Sequence, residues 1–594
     1  MARRVLPLVV AGVVAVGLVV AVRAFVAGGT GAEAPTRADR PGCTELNVTA
    51  SSEKAALLSS VADGYNAAGR EVDGTCVDVR VTAMASGAAA EALAKDWPTT
   101  NGPRPDVWTP AASTWAGILQ QRLSAADRQA IVPDERPSIA QSPLVIAMPR
   151  PMAEALGWPD RDIGWADLAA LATDPAGWGA KGHPEWGPFK LGKTNPAIST
   201  SGLAATVATF FAATGRSTDL SSADVNDPAV RRFVEGLETS AVHYGDTTLT
   251  FLDNLTAAAA RGQGLGYISA VTVEEKSVWD YNRGNPSGDP ATLGEGQPPR
   301  VPLVAVYPRD GTLVSDNPYL VLTDVDAAKK AAAADFLAFV REPDQQRRFT
   351  DAAFRSFDGV PGAAIAPADG LLPDTQVPVL RPPNPAVLTQ VVESWAQLRK
   401  KANLVFVLDV SGSMGEPVRG AETRLDLAKQ AAVDSLALLG GQDTLSLWTF
   451  SSELPGETSP HRVLVAPGAV DAVRGTYPRL IEGLEPGGGT ALYATTRAAV
   501  AQVRREFDPT RINAVVLLTD GVNEYPPDED LDGLVADLDT EDERSRVRVF
   551  PIAYGAEADL DVLRRIAQAS TGAAYDAGDP ESIDKVLRDV VSNF

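Results

Sequence analysis

Short apolar runs alternate with stretches in which apolar residues recur every three or four positions, and the alternation continues for most of the chain. Residues 46–49 and 77–82 carry buried-strand patterns, and each leads into a helical pattern, over 54–67 and 88–95. Residues 106–108 and 143–147 read as further strands. Helical spacing returns over 327–339 and on to Phe354, with a break at Glu342-Pro343. A second series begins at Leu404: strand 404–408, helix 425–439, strand 444–450, helix 491–507, strands 513–519 and 547–553, and helix 581–591. Strands alternating with helices make largely parallel sheets, so both series predict α/β folds, the second a doubly wound sheet. Trp448 and Phe450, alternating with Leu447 and Thr449, are expected in its core.

The punctuation between these series predicts the domain organisation. The first series is long enough for two lobes. Residues 363–385 are proline-rich and read as a linker, and 386–400 as a short helix into the last domain. At the start, Arg3-Arg4 precede an uncharged run, 5–22, that Arg23 ends. The run approaches bilayer-spanning length, and the preceding positive charge sends the rest of the chain outside. An uncleaved anchor is the expected form, with a cleaved signal peptide as the competing one. Residues 28–42, rich in Gly, Ala, Pro and charge, read as a tether. The expected division is thus 1–27 anchor, 28–42 tether, 43–362 two-lobed domain, 363–401 linker and helix, and 402–594 final domain.

Composition changes the picture in two places. The chain has 594 residues and a net charge of −23, which argues against nucleic acid and suits solubility and cation binding. It has 2 cysteines, Cys43 and Cys76. In an exported chain an even pair favours a disulfide, and each residue opens a predicted strand, so neighbouring strands can bring the two together.

The candidate chemistry concentrates where the second series begins. Asp409-Val-Ser411-Gly-Ser413 closes the run 404–408 and delivers one carboxylate and two hydroxyls into a loop. Thr490 follows Gly487-Gly488-Gly489, and Asp520 ends the apolar run that starts at Ala514. In an open parallel sheet, loops beyond the carboxyl ends of strands converge on one crevice, so these oxygens can meet at one hard divalent cation. Asp409-x-Ser411-x-Ser413, Thr490 and Asp520-Gly521 resemble the metal-ion-dependent adhesion site of a von Willebrand factor type A domain, over about 402–594. The resemblance implies Mg²⁺, or Mn²⁺ or Ca²⁺, bound directly by Ser411 and Ser413, with Thr490 direct or nearly so. Asp409 and Asp520 would act largely through water, and a carboxylate of a protein partner would complete the shell.

The first series resembles an extracellular solute-binding protein of the molybdate and sulfate type. The similarity rests on Ser51-Ser52, Ser86-Gly87, Pro105-Asp106-Val107, the crossover Ser142-Pro-Leu-Val-Ile-Ala-Met-Pro149, and Lys193-Thr194-Asn195-Pro196 followed by Ser199 and Ser201-Gly202. Tyr307-Pro308 and Asp310-Gly311-Thr312 match the same class. Ser51, Ser52 and Ser86 would face Ser199 and Ser201 across a cleft, where hydroxyls at helix starts suit a small ligand or anion. Together the resemblances imply a two-lobed periplasmic-binding-protein-like domain followed by a doubly wound, Rossmann-like type A domain, behind an N-terminal transmembrane helix. The acidic stretch 528–543 reads as solvated surface.

Enzymatic readings find little support. Gly187-x₄-Gly192-Lys193-Thr194 has phosphate-loop spacing, but Pro188 lies inside it and Asn195-Pro196 follows, where that loop needs to open a helix. The 3 histidines are scattered, with no nucleophile pattern beside them. The expected function is a membrane-anchored extracellular binding protein that takes a protein partner through a cation and, in its first domain, a small ligand. The alternative is a receptor for an importer or signalling system, with the type A domain as a docking module.

Overall fold

Each predicted strand-and-helix pair in the first series does form, and the chain divides its strands between two sheets. The computed structural model describes residues 42–375, 377–540 and 545–594. The anchor expected at 5–22 lies outside these. Among the described residues no helix is long and apolar enough to cross a membrane.

The first lobe is built on a sheet ordered Leu320–Val321, Val107–Thr109, Thr44–Ala50, Thr75–Ala83, Glu71–Val72. Thr44–Ala50 and Thr75–Ala83 run parallel, with Leu46 beside Val79, which places Cys43 and Cys76 at adjoining strand starts. The two are joined as a disulfide. Ser52–Ala67, Ala327–Val340 and Pro343–Asp351 cover this sheet, with Leu58, Val61, Phe336 and Phe349 fully buried. The chain crosses at Ser142–Pro149 into a second sheet, ordered Val314–Ser315, Ser142–Pro149, Ala270–Glu274, Leu191–Thr194, Ala241–Gly245, with Leu303–Val306 paired to Ser142–Pro149. It returns at 315–320 to complete the first lobe.

The phosphate-loop spacing falls inside this second lobe. Gly192, Lys193 and Thr194 are strand residues, and the Lys193 ammonium is buried against Glu238.

In the last domain a six-stranded sheet runs His461–Ala469, Thr444–Phe450, Lys401–Asp409, Arg511–Thr519, Arg548–Tyr554, Tyr575–Ala577. All neighbours are parallel except the first pair. Lys401–Asp409 sits at the centre and is apolar on both faces. Leu404, Phe406 and Leu408 enter one core, and Val405 and Val407 the other with Trp448 and Phe450. A continuous apolar run is what a strand covered by helices on both sides requires.

Three differences from expectation have local causes. His461–Ala469 pairs antiparallel at the sheet edge; it is mostly half-exposed and contains Arg462, Pro467 and Gly468, so its sequence lacks a strand pattern. Within the acidic stretch, Leu531–Leu538 is a helix that buries Leu534 and Leu538, with Arg497 paired to Asp528 and Asp537. The proline-rich segment is packed rather than free: Leu371 and Leu380 are buried, and the Leu380 amide donates to the Thr312 carbonyl at 2.7 Å.

The last domain docks on the second lobe. Trp395 Nε1 and the Tyr244 hydroxyl both donate to Glu238 Oε2, at 3.0 and 2.8 Å. The Tyr244 amide donates to the Asn593 carbonyl at 2.9 Å. The His243 ring stacks on Phe251 and meets Phe550 edge-on.

Candidate functional site

At the carboxyl end of the central sheet, the register sets two acids side by side. Lys401–Asp409 pairs with Arg511–Thr519 through Leu408 and Leu518, so Asp409 and Asp520 leave neighbouring strands at the same end. Both are fully buried. Asp409 Oδ1 accepts from the Ser411 amide at 2.7 Å and Oδ2 from the Thr519 hydroxyl at 2.5 Å. The Ser413 hydroxyl donates to Asp520 Oδ1 at 2.7 Å, and the Ser411 and Ser413 hydroxyls lie 3.1 Å apart.

Thr490 comes from the glycine-rich loop, which backbone bonds stitch to the serine loop. Gly412 N–H donates to the Gly488 carbonyl and Gly487 N–H to the Val410 carbonyl, each at 2.8 Å. Gly488 has φ +75°, and a Cβ there would lie 2.3 Å from Ser451 Oγ. Thr490 is buried against Gly521, where a Cβ would come within 2.7 Å of the threonine hydroxyl oxygen. All five sequence-selected residues therefore meet in one place.

Its electrostatics are those of crowded acids. Burial, with the neighbouring Asp520 charge adding to it, pushes Asp409 up to about 7, against its bonds from Thr519 and Ser411. Burial also raises Asp520, opposed by Ser413 and Arg424. Arg424 was not foreseen. Its guanidinium donates to Asp520 Oδ2 at 3.0 Å and pairs with Glu557 and Glu416 at 2.7 and 2.9 Å. The only signal for it in the chain is a basic residue at the first position of a helix, where the dipole favours acids.

The donor set is two carboxylates and three hydroxyls, the oxygen chemistry that suits Mg²⁺, Mn²⁺ or Ca²⁺. Among the described residues no cluster of three or more His, Cys, Asp or Glu side chains offers another metal site.

The five serines expected around the first cleft are placed differently from one another. Ser51 Oγ accepts from Lys54 Nζ at 2.9 Å, and that ammonium also reaches the Pro110 carbonyl and Asn317 Oδ1. Burial pulls Lys54 down to about 7, against the nearby acids Glu274, Glu53 and Asp316. Ser86 Oγ accepts from the Ala111 amide at 3.0 Å. Ser199 and Ser201 bond each other at 3.1 Å, and Ser201 also meets Thr194 and Thr248.

The lobes touch here directly, through Gly87 N–H to the Ile198 carbonyl at 2.7 Å and Trp115 Nε1 to the Thr200 hydroxyl at 2.8 Å. Ser52 lines a cavity of about 330 Å³ whose walls are both lobes and the helix Ile583–Val591 of the last domain.

Comparison with known proteins gives each half a counterpart. The family model described as bacterial extracellular solute-binding protein matches residues 46–355, and that of the von Willebrand factor type A domain matches 404–523. No curated protein matches the chain. Among solved structures, a von Willebrand factor type A protein from Catenulispora acidiphila is 22% identical over 32% of this chain and 42% of its own, with TM-score 0.26. The chain thus spans less than half the length of that protein. A periplasmic thiamin binding protein is 12% identical over 60% of this chain and 96% of its own, with TM-score 0.39. The periplasmic binding protein AfuA from Actinobacillus pleuropneumoniae is 14% identical over 60% and 99%, also with TM-score 0.39.

Proposed function

Because the chain belongs to the bacterial extracellular solute-binding protein family and carries a von Willebrand factor type A domain, we propose that it is an extracellular binding protein that engages a protein partner through a divalent cation held by the type A domain. The observation that carries this reading is the convergence of Asp409, Ser411, Ser413, Thr490 and Asp520 at one end of the sheet, with the Ser411 and Ser413 hydroxyls 3.1 Å apart and Asp520 Oδ1 2.7 Å from Ser413 Oγ.

Ser411, Ser413 and Thr490 would hold the cation through their hydroxyls, with Asp409 and Asp520 orienting its water. When bound, the cation offsets two buried negative charges and offers a coordination position to an acidic side chain of the partner. Neutral hydroxyls at the ion leave it strongly electrophilic. The backbone bonds between the glycine loop and the serine loop would help hold Thr490 in place. The two-lobed domain would contribute a small-ligand site alongside, and the chain would sit at the cell surface through the segment preceding residue 42.

The test is a thermal-shift titration of the protein with Mg²⁺, Mn²⁺, Ca²⁺ and EDTA, beside Asp409→Ala. Binding to the folded state alone must raise the melting temperature. A cation-dependent rise that the variant lacks supports the reading. An equal rise in both proteins sinks it.

A further inference from the structure

The cavity between the lobes has a third wall that two-lobed architecture does not supply. The helix Ile583–Val591 of the type A domain brings Lys585, Arg588 and Asp589 to it, opposite Ser52 and Ala85 of the first lobe and Asp246 and Thr247 of the second. Much of the remaining surface is apolar, including Met84, Ile198 and Leu249.

One oxygen of a buried carboxylate there lacks a partner. Asp246 is 9% exposed, and its Oδ1 accepts no hydrogen bond. Buried acceptors are almost always satisfied, so an unmatched carboxylate oxygen at a cavity wall calls for a donor from outside the chain. Asp589, from the other domain, lies close enough for its charge and that of Asp246 to interact. Burial first, then Asp246, pushes Asp589 up to about 7, and burial pushes Asp246 up to about 6. Two carboxylates lining one cavity are relieved by a positive charge between them.

The charge of Lys585 reaches both acids and that of Arg588 reaches Asp589, but among the described residues no basic side chain forms an ion pair with either. Lys95 is paired with Glu91 at 2.7 Å, the Arg588 guanidinium bonds the Asp584 carbonyl of its own helix at 3.2 Å, and Lys585 is exposed.

We propose that this cavity binds a small organic molecule bearing an ammonium group, received by Asp246 from the solute-binding domain and Asp589 from the type A domain. The ligand spans the domain boundary, so its affinity depends on the type A domain being docked. The inference takes up the small-ligand half of the proposed function and is independent of the cation site. The helix starts near Ser52 and Ala85 would welcome a carboxylate on the same ligand. A zwitterion therefore fits as well as a simple amine, whereas a plain anion would add a further negative charge beside two acids.

The experiment is isothermal titration calorimetry of the full chain at pH 8, where both acids are ionised. The probes are butylammonium, phenethylammonium and the zwitterions norleucine and phenylalanine, beside the size-matched anions butyrate and 3-phenylpropionate. At least one ammonium compound is expected to bind, the anions are not, and Asp246→Asn and Asp589→Asn should each weaken binding tenfold or more. Circular dichroism and melting temperature establish that both isosteric variants are folded. Asp409→Ala should bind the probe as the wild type does, which separates failure here from failure of the metal reading. Binding by the anions alone, no binding by any ammonium compound, or binding untouched by Asp589→Asn in a folded protein would each overturn the proposal.

Discussion

Two groups compete for the Asp520 carboxylate: the Ser413 hydroxyl, on the side facing the candidate cation, and the Arg424 guanidinium, 3.0 Å from the other oxygen. Arg424 is 9% exposed and also holds Glu557 and Glu416, so it is a fixed charge and not a mobile surface cation. A fixed positive charge next to a metal ligand repels the incoming ion through a partly buried path, where charges a few ångströms apart interact by a kcal/mol or more. Arg424→Gln keeps a donor for Asp520 and removes the charge. We expect it to raise Mg²⁺ affinity roughly tenfold, equivalent to about 1.4 kcal/mol, as read by calorimetry. A fall in affinity would instead make Arg424 a residue that positions Asp520. Sequence reading found the five oxygen-bearing residues because their spacing at strand ends is a local pattern. It missed Arg424 because the partner that gives it meaning is 96 positions away.

At the scale of elements, the site depends on the loop Gly487-Gly488-Gly489 adopting a backbone that only one of its glycines must have. Gly488 is in the left-handed region at +75°, and a Cβ would lie 2.3 Å from Ser451 Oγ, whereas Gly487 has open space around it. Gly488→Ala combines backbone strain of about 1 kcal/mol with a clash, so its melting temperature should fall and its Mg²⁺-dependent shift should shrink as Thr490 moves. Gly487→Ala should leave both measurements near wild type. Equal behaviour of the two variants would show that the loop is not what holds Thr490.

The same contrast explains what was legible in the chain. The central strands announce themselves because both faces are buried, as at Val405, Phe406 and Val407. The edge strand His461–Ala469 and the helix Leu531–Leu538 bury only one side, and their polar faces mask the period. For the first cleft, the sequence correctly placed serines at helix starts. It gave no sign that Lys54, Ala111 and neighbouring hydroxyls occupy four of the five.

At the scale of the molecule, the docked arrangement makes the domain boundary a place where pH acts with two signs. His243, fully buried between Phe251 and Phe550, also has Nε2 2.6 Å from the Tyr267 hydroxyl. Burial, with the Arg548 charge adding to it, holds its pKa down to about 3. The unfolded chain, with a histidine near 6.5, therefore binds a proton that the folded chain refuses. The stability tied to a neutral His243 is full above about pH 6.5 and falls towards pH 3, by at most about 1.4 kcal/mol per unit.

Asp246 and Asp589 act in the opposite direction. Their folded values, about 6 and about 7, lie above those of free carboxyls, so their contribution is full at low pH and is lost as pH rises through those values. The wild-type melting temperature mixes these terms, and a single pH profile will not separate them. The difference between wild type and His243→Gln does, because the two acids are common to both proteins. Between pH 6.5 and 4.5 the stability of the wild type relative to the variant should fall by about 2 kcal/mol, read from urea melts at the two values. A difference that stays constant would mean that His243 is not buried neutral at the boundary, and the docked geometry on which the bridging ligand depends would lose its support.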